Sequence, residues 1–198
     1  MSIIKQNITA AILSGGQGSR FSGADKGLVV LHGQQLIEHV IERLTSQVSH
    51  ILISANRNIT LYQEKGYQVL EDEISGFAGP LAGILTALNH CQTEWLLVVP
   101  ADCPFVPRDL AERLHQLTTK SKLVIAHDGE RLQPAFALIH KSLLASLETF
   151  LQQGERKMRL WMKQHNSVTA DFSDQPAAFM NINTESELKI AEDNFKSV

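Results

Sequence analysis

Short apolar runs alternate with amphipathic segments along the first 120 residues. The runs are bounded by glycine, proline or polar residues, as buried strands are, and the segments between them place apolar residues three and four positions apart, as helices do. The predicted strands are ITAAIL (8–13), HILISA (50–55), YQVLED (67–72) and EWLLVVPAD (94–102). The predicted helices are QQLIEHVIERL (34–44), LYQEKG (61–66), PLAGILTALNHC (80–91) and RDLAERLHQL (108–117). This alternation predicts an α/β fold with a mostly parallel sheet flanked by helices.

The second half is less regular. KLVIAHD (122–128) and PAFALIH (134–140) predict a hairpin that turns at Asp128-Gly129. The remaining segments read as a helix that stops at Gly154, a basic helix, a short strand and a terminal helix: SLLASLETFLQQG (142–154), RKMRLWMKQH (156–165), VTADF (168–172) and NINTESELKIAEDNF (181–195). Thr184 and Glu187 have the spacing of a capping box before the terminal helix. We find neither repeats nor linker composition, so we expect one domain over residues 1–198.

Composition excludes several classes of protein. Hydrophobic residues make up 43% of the 198 residues and charged residues 20%, which is ordinary globular usage and argues against disorder. The net charge of −3 argues against wholesale nucleic-acid binding, so an anion site must be a local concentration of donors. Cys91 and Cys103 show no metal-ligand spacing. The start lacks a signal peptide's apolar core, and no apolar run reaches about 18 residues. We expect a cytoplasmic protein that binds neither membrane nor nucleic acid.

A glycine-rich segment, LSGGQGSRFSGADKG (13–27), follows the first strand. It is not a P-loop, because Lys26 precedes Gly27, and not a dinucleotide fingerprint, because Phe21 stands where the third glycine should be. Its position still places it at the carboxyl end of the sheet, where open α/β folds bind ligands. Backbone N–H groups there can form an anion nest, and Arg20 and Lys26 can bind phosphate oxygens. The alternative is a glycine-rich turn with exposed cations.

Two further predicted strands end in an acid. Asp72 closes YQVLED and Asp102 closes WLLVVPAD. If the strands are parallel, both carboxylates reach the same edge as the glycine-rich segment. Mg²⁺ is commonly held by one or two carboxylates together with substrate phosphates, so Asp102 is a candidate metal ligand. The alternative for Asp102 is a helix N-cap or a turn residue.

Seven segments together resemble a known family. They are LSGGQGSRFSGADKGLVVLHG (13–33), SANR (54–57), LEDEISGFAGPLAG (70–83), VVPADCPFVP (98–107), HDGERLQPAFAL (127–138), GERK (154–157) and MNINTESEL (180–188). In this order they resemble the nucleotidyltransferases of the GT-A-like fold and, within them, the molybdenum cofactor guanylyltransferases of the MobA type. The resemblance implies a three-layer Rossmann-like domain with a nucleotide-binding half, residues 1–120, and an acceptor-binding half, residues 121–198.

The resemblance also implies site residues. Arg20, Lys26 and Asp102 would be catalytic, with Asp102 binding Mg²⁺. The nucleotide contacts would be Leu13, Ser14, Gly15, Gly16, Lys26, Ser54, Asn56, Asp72, Pro80, Leu81 and Asp102. Residues 79–83 would shape the base pocket, and Asn181 and Asn183 would lie by the metal or the second substrate. The chain departs from the family at Ser54, where an asparagine is expected; we expect Asn56, on the same strand face, to compensate.

The implied reaction transfers GMP from GTP to the terminal phosphate of molybdopterin or its molybdenum-bearing form and releases pyrophosphate. The implied partners are GTP, molybdopterin, cofactor-inserting proteins and molybdoenzyme chaperones, and we expect a monomer. One alternative is cytidylyl transfer to the same pterin, or another nucleotidyl transfer. An alternative from another class is a non-catalytic cofactor carrier, for which the acid Asp102 has little use.

The basic segment 156–163 and Cys103 also have expected roles. The basic segment 156–163 suits the anionic pterin or a protein partner, and its Trp161 either stacks on a pterin ring or packs inward. Cys103 follows Asp102, and we expect it to be a small buried neighbour and not a nucleophile.

Overall fold

A computed structural model of the chain describes residues 3–15, 25–73 and 79–195. The strands in this part are β1 (Ile8–Leu13), β2 (Val30–Leu31), β3 (Gln34–Gln35), β4 (His50–Ser54), β5 (Gln68–Leu70), β6 (Trp95–Pro100), β7 (Leu123–His127), β8 (Leu132–His140) and β9 (Val168–Asp171). The α-helices are α1 (Ile3–Gln6), α2 (Leu36–Thr45), α3 (Ile59–Gln63), α4 (Pro80–His90), α5 (Leu110–His115), α6 (Leu144–Gln152), α7 (Met158–Gln164) and α8 (Glu185–Phe195).

Seven strands form the main sheet, in the order β5-β4-β1-β6-β8-β7-β9. The first four in this order are parallel, as predicted, and Leu13 lies between Ser54 and Pro100 at their carboxyl ends. Strand β8 is antiparallel to both its neighbours, β6 and β7, and β9 is parallel to β7. The predicted hairpin is therefore confirmed, and it joins the sheet directly beside β6.

Helices cover both faces of the sheet and make the three-layer arrangement. Alternate residues of each central strand point to opposite faces, so Leu97 and Val99 pack on one side and Leu96 and Val98 on the other. The first side is covered by α2, α3 and α5, and the second by α4, α6 and α7. A small third cluster joins the β2–β3 hairpin to α8: Leu31, Leu36, Phe105, Ile182 and Ala191. This cluster fixes the chain that leads into α8.

Local chemistry accounts for where several elements begin and end. Pro80 occupies the first turn of α4, as predicted, and Gly66 and Gly154 have φ of +79° and +83° after α3 and α6. At α8, Glu187 N donates to Thr184 Oγ1 (3.2 Å), while the Glu187 carboxylate accepts from Thr184 Oγ1 (3.1 Å) and from Asn183 N (2.7 Å). The cap formed by Thr184 and Glu187 is thus confirmed. The Glu187 carboxylate accepts from the backbone N–H of Asn183, where a capping box would use that of Thr184.

The structure differs from the predictions at several places. Helix α3 begins at Ile59, two residues before the predicted start, and the basic helix begins only at Met158. Strands β5 and β6 end two residues before Asp72 and Asp102, so both acids lie in the loops that follow. The side chain of Trp161 is fully buried against the sheet, so the stacking role considered for it is wrong.

No helix in the described part of the chain is long and apolar enough to span a membrane.

Candidate active site

A cavity of about 180 Å³ opens at the carboxyl ends of β1 and β6. Both strands are buried on both faces of the sheet, so they hold the residues that follow them rigidly. The cavity is lined by Leu13, Ser14, Gly15, Asp25, Lys26, Gly27, Arg57, Pro80, Pro100, Ala101, Asp102, Ala135 and Asn181. Six of the predicted nucleotide contacts are in this lining, together with Asn181 from the other end of the chain.

Lys26 is the cation at the centre of the lining. Its Nζ donates to Asn183 Oδ1 and lies 3.5 Å from Asp102 Oδ2. The backbone joins the same residues, because Ile182 N donates to Asp102 O at 2.9 Å. The segment 181–183 therefore crosses over the end of β6 and holds the ammonium group near the carboxylate.

Asp102 is a largely buried acid, with 15% of its side chain exposed. Burial raises the pKa of its carboxyl group, and the attraction of Lys26 opposes this only in part. The carboxylate is therefore held in the cavity wall at a cost in solvation, which a cation bound beside it would offset.

Cys103 lies behind Asp102 and is fully buried. Its thiol donates to Asn181 Oδ1 (2.9 Å) and lies 3.7 Å from Asp102 Oδ1. Burial, and then the neighbouring Asp102 charge, raise the pKa of the thiol well above its ordinary value. It stays protonated, which supports its expected role as a small neighbour and not a nucleophile. Because the thiol occupies Asn181 Oδ1, the amide nitrogen, which has no hydrogen bond to the described residues, can donate toward the cavity.

Asp72 and Asn56 form a pair beside the cavity but outside its lining. Asn56 Nδ2 donates to Asp72 Oδ2, and Asp72 N donates to Asn56 Oδ1, both at 2.8 Å. Burial raises the pKa of the Asp72 carboxyl group, and its Oδ1 is buried without a hydrogen-bond partner among the described residues. Asn56 lies beyond the end of β4, so its predicted place on the strand face of Ser54 is wrong. Both ends of its amide already serve Asp72.

Ser54 and Leu81 also lie away from the cavity lining. Ser54 is buried against α4, where a Cβ added to Gly83 would lie 2.4 Å from its Oγ. Leu81 is 1% exposed and belongs to the apolar core, so the structure does not bring it to the cavity. Gly79, which begins the turn into α4, has a φ of +141°. Of the predicted site residues, Gly16 and Arg20 lie outside the described residues.

Asp25 and Arg57 line the cavity and were missed as site residues. Asp25 is almost fully buried; its Oδ1 accepts from the Tyr62 hydroxyl (2.7 Å) and its Oδ2 from Asn58 Nδ2 (3.2 Å). Arg57 Nε lies 3.7 Å from Asp25 Oδ2. The sequence held a signal for both, since Asp25 stands next to Lys26 and Arg57 ends the SANR segment, but the pattern gave no reason to connect them.

The residues that line the cavity offer one carboxylate able to take up a magnesium ion, that of Asp102, because both oxygens of Asp25 are engaged within the protein. The described residues contain no group of three or more histidine, cysteine, aspartate or glutamate side chains able to hold a metal. Mg²⁺ does not need one, because it keeps waters and takes its other ligands from substrate phosphates. A largely buried carboxylate in the wall of the cavity fits such a shared site. Asp102 is the residue that would hold the ion.

A larger cavity, of about 310 Å³, lies at the opposite edge of the sheet. It is lined by residues at the amino ends of β4 and β5, with His50, Tyr67 and His90 among them. It contains neither a lysine nor an acid, so it lacks the pairing of charges seen at the smaller cavity. The chemistry therefore points to the smaller one.

Known proteins resemble this chain in sequence over most of its length. A family model described as the MobA-like NTP transferase domain matches residues 10–168. A molybdenum cofactor guanylyltransferase from Shewanella piezotolerans is 52% identical over 179 residues, which cover 89% of this chain and 88% of that protein. A protein of the same name from Shewanella sp. strain MR-4 is also 52% identical over 179 residues, covering 89% and 91%.

Solved structures show the same fold. Molybdopterin-guanine dinucleotide biosynthesis protein A from Archaeoglobus fulgidus superposes with a TM-score of 0.80 at 26% identity, over 96% of this chain and all of that one. The 4-diphosphocytidyl-2C-methyl-D-erythritol synthase from Anaerococcus prevotii superposes with a TM-score of 0.77 at 12% identity, over 99% and 100%. The second likeness concerns the fold alone.

Proposed function

The chain belongs to the MobA-like NTP transferase family, and on that premise we propose that it transfers GMP from GTP to the terminal phosphate of molybdopterin or its molybdenum-bearing form, releasing pyrophosphate. The observation that carries the proposal is the 52% identity to molybdenum cofactor guanylyltransferases over 89% of the chain. The cavity supports it, because a buried carboxylate and a lysine there are arranged as a polyphosphate site requires.

The reaction balances without a redox partner or a strong base. An oxygen of the pterin phosphate forms a bond to the α-phosphorus of GTP. The bond from that phosphorus to the bridging oxygen of pyrophosphate breaks, and pyrophosphate leaves with the electron pair. Because the attacking oxygen is already ionised near neutral pH, the protein's main task is to position two polyanions and to balance their charge.

We assign the described residues to that task as follows. Lys26 would bind the triphosphate and balance charge on the departing pyrophosphate, and the Asn181 amide would donate to a phosphate oxygen. Asp102 would hold Mg²⁺, which would supply positive charge to stabilise the phosphate groups. Arg20, Gly16, Asp72 and residues 79–83 keep the roles that the family resemblance implies. In this scheme residues 1–120 bind the nucleotide and residues 121–198 the acceptor.

Lys26 links the two halves of this scheme. Its ammonium group is shared between Asp102, after β6, and Asn183, in the segment before α8. A triphosphate entering beside Asp102 would offer Lys26 stronger, charged acceptors than an amide oxygen. We therefore propose that Asn183 holds Lys26 in place until the nucleotide binds.

The test supplies molybdopterin and Mg²⁺ with either GTP or CTP and follows pyrophosphate and the dinucleotide product. We expect product with GTP and at most traces with CTP. Preference for CTP would replace our assignment with the cytidylyl alternative. Tight GTP binding without pyrophosphate release would favour a carrier that delivers cofactor.

We also propose the remaining partners and the setting. The product would pass to cofactor-inserting proteins and molybdoenzyme chaperones, and the protein would work in the cytoplasm as a monomer. Two free cysteines, one of them buried beside Asp102, suit a reducing compartment. Light scattering on the purified protein measures the oligomeric state directly, and a dimer mass would overturn that part.

A further inference from the structure

Three side chains from one short segment converge on Asp25. Tyr62 donates to one carboxylate oxygen (2.7 Å), while Asn58 (3.2 Å) and Arg57 (3.7 Å) lie at the other. Both oxygens are therefore engaged by groups of the segment 57–62, here called the Asp25 anchor. Only 4% of the Asp25 side chain is exposed, although the residue lines the cavity. Its charge is thus turned toward the protein and balanced there by Arg57.

The anchor fixes the backbone on both sides of Lys26. Asp25 begins a 3₁₀ turn over Lys26–Leu28, and Leu28 N donates to Asp25 O at 3.0 Å. On the other side, Gly27 packs so closely that an added Cβ would lie 2.7 Å from the Tyr62 hydroxyl and 3.1 Å from the Ala101 Cβ. One hydroxyl group therefore both binds the residue before Lys26 and contacts the residue after it.

The bond that closes the anchor is stable to pH. Burial, and then the bond to Asp25, raise the pKa of the Tyr62 phenol far above its ordinary value. The phenol therefore remains a donor at every pH at which the protein works. The left-handed backbone of Asn58, with φ of +53°, turns the segment so that its amide reaches the same carboxylate.

We propose that Asp25 is a positioning residue, held by Tyr62 and Asn58, that sets Lys26 for the triphosphate of the nucleotide. The proposal rests on the proposed function for its substrate, and it adds residues that act through Lys26 without contacting the reacting atoms. A cluster that merely stabilised the fold would have no reason to act through that one lysine.

A double-mutant cycle separates the two roles. The proteins are the wild type, Tyr62→Phe, Lys26→Ala and the double variant, and the measurement is the affinity for GTP with Mg²⁺ together with kcat/KM. We expect Tyr62→Phe to weaken both about tenfold when Lys26 is present, the lower end of what losing a hydrogen bond to a charged group costs. In the Lys26→Ala background we expect a loss of less than about twofold. An equal loss in both backgrounds would overturn the proposal.

Tyr67→Phe is the matched control. The chain has two tyrosines, and Tyr67 lies in the larger cavity at the opposite edge of the sheet. The same loss of one hydroxyl there should leave affinity and turnover unchanged. Asn58→Gly is a second test variant, because glycine accepts the positive φ while removing the amide donor. Asn58→Gly should also weaken GTP affinity and kcat/KM only when Lys26 is present, so it tests the proposal even if Tyr62→Phe folds poorly.

Amine labelling of the nucleotide-free protein tests the positioning independently of GTP. Lys26 is held by Asn183 and Asp102, whereas Lys163 is exposed, so Lys26 should react more slowly than Lys163 in the wild type. The ratio of the Lys26 rate to the Lys163 rate should rise several-fold in Tyr62→Phe and stay constant in Tyr67→Phe. An unchanged ratio in Tyr62→Phe contradicts the positioning, whereas a wild type that binds no GTP contradicts only the proposed function.

Discussion

Asp102 illustrates at the scale of a single residue how a functional group can oppose stability. A carboxyl group whose pKa is higher in the folded than in the unfolded chain binds its proton more tightly when folded. The free energy of unfolding therefore falls as pH rises from the ordinary value of 3.8 to the raised one, and it stays lower above that. Lys26 offsets only part of this cost.

Replacement of Asp102 by asparagine should separate activity from stability. We expect Asp102→Asn to reduce turnover at least about a hundredfold, because a neutral amide neither holds Mg²⁺ well nor balances Lys26. At pH 7 its free energy of unfolding should equal or exceed that of the wild type, and the difference should shrink below pH 3.8, where the wild-type carboxyl is protonated in both states. Turnover assays and urea unfolding at pH 7 and pH 3 check both parts.

Glu42→Gln is the control for that substitution. Glu42 Oε1 lies 3.3 Å from Arg108 Nη2, and both side chains are exposed. The substitution should therefore leave turnover unchanged and alter the free energy of unfolding by less than about half a kcal/mol. Native turnover in Asp102→Asn would remove Asp102 from the metal site. A marked loss of stability at pH 7 would mean that the Lys26 pair outweighs the burial of the charge.

Helix α4 carries Pro80 into the cavity lining, and it packs closely against β4 at Gly83. The helix lies so near the sheet at Gly83 that an added Cβ would meet Ser54 Oγ at 2.4 Å, Ser54 Cβ at 3.3 Å and Leu13 Cδ2 at 3.4 Å. Ser54 thus has a packing role against α4. The distance between strand and helix is set by two small residues.

A coupled pair of substitutions tests this packing. Gly83→Ala should lower the free energy of unfolding by about 1 kcal/mol, because crowding against Ser54 exceeds the gain in helix propensity. In a Ser54→Ala background the hydroxyl is gone, so the same change should raise stability by a few tenths of a kcal/mol. Urea unfolding of the four proteins gives the coupling energy. Equal effects of Gly83→Ala in both backgrounds would contradict the proposed contact.

Most elements could be predicted from the sequence because their signals are local. Alternating apolar runs mark β1, β4 and β6, and Pro80 marks the start of α4. The ends of elements were harder to predict. Strand β6 stops at Pro100 because the backbone turns before Asp102, and the apolar pattern of the sequence does not indicate this turn. Apolar patterns pointed to the site only at the strand ends, and the other site residues were expected from the family resemblance alone. Lys26 meets Asn183 across 157 positions and Asp25 meets Tyr62 across 37, and such contacts depend on the packed fold.

Strands from residues 1–120 and from residues 121–198 pair within one sheet. Strand β8, from the second half, pairs with β6 from Trp95–His140 to Val98–Ala137. Its residues Ala137, Leu138 and Ile139 are fully buried. This pairing predicts that residues 1–120 and residues 121–198 do not fold separately.

Dividing the chain tests this directly. We expect residues 1–120 alone to show no cooperative urea transition, because β6 would lose its neighbour and expose apolar side chains on an open edge. The intact chain should unfold in one transition, and adding residues 121–198 as a second fragment should restore it. A cooperative transition in the fragment 1–120 would show that the nucleotide half is an independent folding unit.

The placement of β8 beside β6 also has a consequence during translation. At about 5–20 residues per second, His140 is made about 2–8 s after Pro100, and Asn183 follows Asp102 by about 4–16 s. Until β8 has been made, one edge of the apolar strand β6 has no partner. Until Asn183 has been made, Lys26 lacks the amide oxygen to which it donates. Chains released before residue 140 is made would keep this edge unpaired, so we expect them to be inactive and prone to aggregate.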